Sequence, residues 1–78
     1  MLLMYFRVIP PTQKHPPRIK LQAHMGRWRT VVLPEGDDKK EISLLAAQAA
    51  GFKATHVGSI VQNVQNDVDW VAYVAVEA

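Results

Sequence analysis

The chain has 78 residues, no cysteine, 49% apolar and 21% charged side chains and a formal net charge of +2. That length and composition suit one folded domain spanning residues 1–78. The absence of cysteine excludes disulfide frameworks, thiol catalysis and thiolate zinc sites. The longest apolar run, Trp70 to Val76, is far shorter than the roughly 20 residues of a spanning helix, so no membrane partner is expected. The opening Met-Leu-Leu-Met-Tyr-Phe lacks the basic lead and small-residue cleavage site of a signal peptide, and a cytoplasmic location is expected.

The net charge conceals a split. Before Pro34 the chain carries Arg7, Lys14, Arg18, Lys20, Arg27 and Arg29 and no acid, for +6. After it, Lys39, Lys40 and Lys53 stand against Glu35, Asp37, Asp38, Glu41, Asp67, Asp69 and Glu77, for −4. A basic half and an acidic half set up a field that steers an anionic partner or another copy of the chain.

Leu2 to Ile9, rich in aromatic and β-branched residues and stopped by Pro10-Pro11, reads as a strand. The proline pairs of residues 10–17 make a stiff connector. From Arg18 the chain alternates: Ile19, Leu21 and Ala23 point one way, while Arg18, Lys20, Gln22 and His24 point the other. Met25-Gly26 supplies a turn, with glycine expected to take the positive φ. An even loop puts Ala23 opposite Trp28, Leu21 opposite Thr30 and Ile19 opposite Val32 on the core face. The outer face then gathers Arg18, Lys20, His24, Arg27 and Arg29.

After Pro34, Asp38 is the expected N-cap, with Glu41 three positions on in the pattern of a capping box and Gly51 at the left-handed stop. Between them Ile42, Leu45, Ala46 and Ala49 form one apolar stripe, and the alanines let a helix of about 12 residues lie close on a sheet. Val57 to Val64 reads as a strand, residues 65–68 as a turn, and Trp70 to Val76, with no polar alternation, as a strand covered on both faces.

The expected fold class is α+β, ordered β-β-β-α-β-β, a mostly antiparallel sheet with one short helix on one face. The first and last strands are apolar on both sides and should sit together in the middle. One helix leaves the second face bare. Tyr5, Val71, Tyr73 and Ala75 are therefore the expected interface of a homodimer or of a larger complex.

No catalytic, metal or cofactor motif stands out. The three histidines lie at least eight residues apart, which points to no zinc site. Asn66, Asp67 and Asp69 lack the glycine and later glutamate of a calcium loop. Gly58-Ser59 lacks the spacing of a nucleophile elbow. A sheet with one helix is expected to offer little concavity, so no enzyme is expected and no cofactor is assigned.

Two functions remain. The element order and the run Ala46-Ala47-Gln48-Ala49-Ala50-Gly51, in a cysteine-free chain of this length, resemble small phage or mobile-element interaction proteins of the anti-CRISPR inhibitor kind. The resemblance implies a non-enzymatic module that binds a larger protein or nucleoprotein partner, and it transfers no site residue. The alternative is nucleic-acid binding by the basic face of the central hairpin, Arg18, Lys20, Arg27 and Arg29 with His24, and Tyr5 or Trp28 offering a flat surface for a base. The expected inward setting of Trp28 counts against stacking.

Overall fold

Strand formers and chain breakers cut the sequence close to where its pattern suggests. The computed structural model describes residues 1–62 and 68–77. Its elements are β1 (Leu2–Ile9), β2 (Arg18–Ala23), β3 (Trp28–Val32), α1 (Lys39–Ala49), β4 (Ala54–Gln62) and β5 (Asp69–Val76). The five strands form one antiparallel sheet in the order β3-β2-β1-β5-β4, with β1 and β5 side by side as expected. Among the described residues no helix is long and apolar enough to cross a membrane.

Asp38 caps α1 by accepting a 2.9 Å hydrogen bond from the Lys40 N–H. At the other end Gly51, at φ 100°, lets the Phe52 N–H reach the Ala47 carbonyl and its own N–H reach that of Gln48, a Schellman closure. The chain turns from there directly into the sheet, and the Gln48 Nε2 donates to the Ala54 carbonyl at 3.0 Å. β4 accordingly begins at Ala54, three residues earlier than expected. Its expected end at 63–64, and residues 65–67 of the expected turn, lie outside the described residues. β4 carries two register irregularities, after Ala54 and after Val57. Gly58 lies in the second, where a Cβ would come within 3.1 Å of the Met1 methyl carbon.

Beneath α1, Met4, Phe6, Ile19, Leu21, Trp70, Ala72 and Val74 form the buried layer. Phe6 and Trp70 stack with ring centres 5.6 Å apart. The helix stripe differs from the expected one. Ile42 and Ala46 are buried, but so are Ser43 and Ala47, while Leu45 and Ala49 are exposed. The reason is polar: the Trp70 indole N–H donates to the Ser43 Oγ at 2.8 Å, which draws the serine side of the helix onto the sheet.

The hairpin register is also corrected. Gln22 pairs with Trp28, Leu21 with Arg29, Lys20 with Thr30, Ile19 with Val31 and Arg18 with Val32. Five residues, 23–27, separate the first pair, so the connection is odd and every side chain of β3 changes face. Val31 and Arg29 face the helix, and Trp28, Thr30 and Val32 face away. Arg29 is accommodated because its Nη1 donates to the Ala50 carbonyl at 2.7 Å and its guanidinium lies 4.3 Å from the Phe52 ring centre. A cation at a helix C-terminus is a favourable arrangement. The positive φ falls on Met25 (69°), with the turn closed by the Gly26 N–H to the Ala23 carbonyl.

Candidate functional site: the open sheet face

The register brings residues from distant parts of the chain into rows that cross the uncovered face. One row runs Trp28, Gln22, Tyr5, Val71 and Val61, one residue from each strand. At about 4.8 Å per strand it is roughly 19 Å long. The next row, about 6.8 Å further along the strands, runs Thr30, Lys20, Arg7 and Asp69. Residues of both rows line a cavity of about 480 Å³, a volume in the range of ligand sites, with Phe6 and Trp70, whose rings are buried on the helix side, beneath its floor. The expectation of little concavity is thus overturned. Trp28 and Val61, on the two edge strands β3 and β4, stand at opposite ends of this cavity.

Within the groove the charges differ in kind. The Arg7 guanidinium makes a two-pronged pair with Asp69, Nε to Oδ1 and Nη2 to Oδ2, the latter at 2.8 Å. Those hydrogen bonds, and then the carboxylate charge, hold Arg7 more firmly protonated than usual. Lys20 meets no carboxylate among the described residues; its ammonium sits 4.8 Å from the centre of the Trp28 ring. Such a contact at an exposed site contributes about 0.5–1 kcal/mol. The Gln22 Nε2 donates to the Gly26 carbonyl, which fixes the amide between Trp28 and Tyr5. The Tyr5 Oη lies 3.4 Å from the His24 Nδ1 at the mouth of the hairpin.

The expected basic face is divided by the fold. Arg18 and Lys20 stand on the open face, His24 follows β2 beside Tyr5, Arg27 is exposed in the hairpin loop, and Arg29 is across the sheet under the helix end. The Nε of Arg18 is buried without an acceptor among the described residues, a cost of about 1–3 kcal/mol that the fold carries. Tyr5, Val71, Tyr73 and Ala75 all stand on the open face, where Leu3 pairs with Tyr73 and Tyr5 with Val71. Trp28, at 46% exposure, faces outward, contrary to the expected inward setting. Its orientation hangs on the odd loop, which a one-residue change in loop parity reverses. Arg7, Asp69 and Val61 carry no local signal of binding residues, because only the pairing of β1 with β5 and of β5 with β4 brings them to the groove.

Among the described residues no group of three or more His, Asp or Glu side chains is placed to hold a metal ion. What the arrangement offers is an apolar and aromatic floor beside cations: three cations, Arg7, Arg18 and Lys20, against one acid, Asp69, on the open face of the strands. No protein-family model matches the chain, and no curated protein or solved structure matches it significantly.

Proposed function

We propose that this chain is a small non-enzymatic binding module that docks on nucleic acid, free or within a nucleoprotein, through the open face of its sheet. One observation carries the reading: Trp28 and Tyr5 share a row of the groove with Lys20 in the next row, and Arg18 stands one row further along the same open face, so flat rings and positive charge without a carboxylate partner among the described residues lie close together. Stacking of a base on an aromatic side chain contributes about 1–3 kcal/mol and is available only to unpaired strands. Because Asp69 already neutralises Arg7, two cations remain for phosphates. The logarithm of affinity should then fall with log salt at a slope near −1.4, about sevenfold weaker binding between 50 and 200 mM salt. Fluorescence anisotropy with labelled single-stranded DNA and RNA tests this. A salt-independent signal, or no binding at 50 mM salt, refutes it. An inhibitor of the kind the outline resembles would bind a larger protein or nucleoprotein partner directly, and the oligonucleotide assay tests the nucleic-acid part of that reading.

A second reading, docking of a protein or pairing of two copies through Tyr5, Val71, Tyr73 and Ala75, is favoured by the apolar exposure on this face: Tyr73 at 44%, Val61 at 55% and Val32 at 63%. Its excess of cations sets two like faces against each other, which weighs toward an anionic partner. Light scattering over a dilution series decides: a mass twice 8.8 kDa that collapses in Tyr73→Arg supports pairing of copies.

A further inference from the structure

The Lys20 ammonium stands over one face of the Trp28 ring, 4.8 Å from its centre, where a stacking base could lie, and no carboxylate among the described residues holds it anywhere else. Resting on the nucleic-acid reading above, we infer that Lys20 and Trp28 form an exchangeable latch: the ring of an unpaired nucleotide displaces the ammonium from Trp28, and the ammonium moves to that strand's phosphate. The exchange is a non-covalent substitution in which each group leaves with a partner. A base without a phosphate takes the ring and strands the lysine. A phosphate without a base offers only a solvated surface ion pair in place of the ring. A ligand that carries both, spaced as in one nucleotide, satisfies both groups at once. The geometry suits this, since Lys20 and Trp28 lie on neighbouring strands, one in each row, with Gln22 closing the gap between Trp28 and Tyr5. Arg7 takes no part, because Asp69 holds it. The latch makes recognition of base and backbone interdependent, so the groove selects unpaired strands over duplex, over loose anions and over apolar peptides.

The test uses the full chain and reads tryptophan fluorescence. Trp70 is buried against Phe6, so quenching by a ligand reports Trp28. The probes are a trideoxyadenylate, its abasic counterpart, its methylphosphonate counterpart with an uncharged backbone, and an acidic tyrosine-containing peptide. The trideoxyadenylate should bind best. Lys20→Met, which keeps the aliphatic stem, should weaken it about fivefold while leaving the methylphosphonate strand unchanged or slightly tighter, because the ring is vacated. Lys20→Arg should restore binding of the charged strand. Equal weakening of both strands by Lys20→Met, or of neither, overturns the latch and leaves nucleic-acid binding standing. Absence of trideoxyadenylate binding, or equal binding of the acidic peptide, overturns both. The thermal midpoint of Lys20→Met should fall by no more than the ring contact accounts for, about 2–8 °C, with a cooperative melt retained, which separates loss of the latch from loss of the fold.

Discussion

The two faces of this sheet are built from alternate residues of the same strands and have opposite fates. On one, Met4, Phe6, Ile19, Leu21, Trp70, Ala72 and Val74 meet a helix whose small side chains let it lie close, and almost nothing remains exposed. On the other, Tyr5, Trp28, Val71, Tyr73 and Val61 have no covering element among the described residues, and cations stand among them. The comparison teaches that stability and recognition are separable here, because a strand with period two places consecutive residues in different environments.

Substitutions can break or sharpen that separation. Phe6→Ala empties the centre of the sealed face and should cost about 3–5 kcal/mol, out of a total of about 4–12 kcal/mol for a chain of this length. Urea denaturation should show a midpoint lowered by about a quarter or more. Arg29→Ala removes the donor to the Ala50 carbonyl and the contact with Phe52, for about 1–2 kcal/mol. A loss in urea melts with unchanged oligonucleotide binding would confirm that Arg29 belongs to the helix end and not to the groove. Trp28→Ala, on the open face and at an edge strand, should change stability by no more than about 1 kcal/mol yet give the largest loss of oligonucleotide affinity. A large stability loss there would show that the open face also holds the fold together. The smallest effect is a gain: Met25 is 89% exposed and sits at φ 69°, so Met25→Gly relieves backbone crowding without losing packing. About 0.5 kcal/mol is expected, a thermal midpoint raised by about 2–4 °C.

Much of the sealed face is legible in the sequence. The capping signals at Asp38 and Gly51, the closely packed alanines and the two strands apolar throughout suffice to place a helix on a sheet with β1 beside β5. The open face is less so. Residues 28–32 alternate Trp28, Thr30 and Val32 against Arg29 and Val31, and apolar count favours the wrong side. The deciding facts are tertiary: a five-residue connection, and a resting place for Arg29 created by the end of a helix some twenty residues later. The helix stripe misleads for a similar reason, since Ser43 belongs to the buried side only once Trp70 arrives as its donor. The groove itself depends on Arg7 meeting Asp69 across 62 positions of sequence, a juxtaposition that no local pattern encodes.

That serine has a consequence for the opposite surface. Contacts among alanines tolerate sliding, but the bond from the indole is directional, and turning the helix by one residue, roughly 100°, would leave a buried N–H without an acceptor. The helix therefore has one angular setting on the sheet. A backing plate pinned in this way cannot roll to let the strands flatten, so an incoming strand meets a surface already shaped, and little of its binding energy goes into reshaping it.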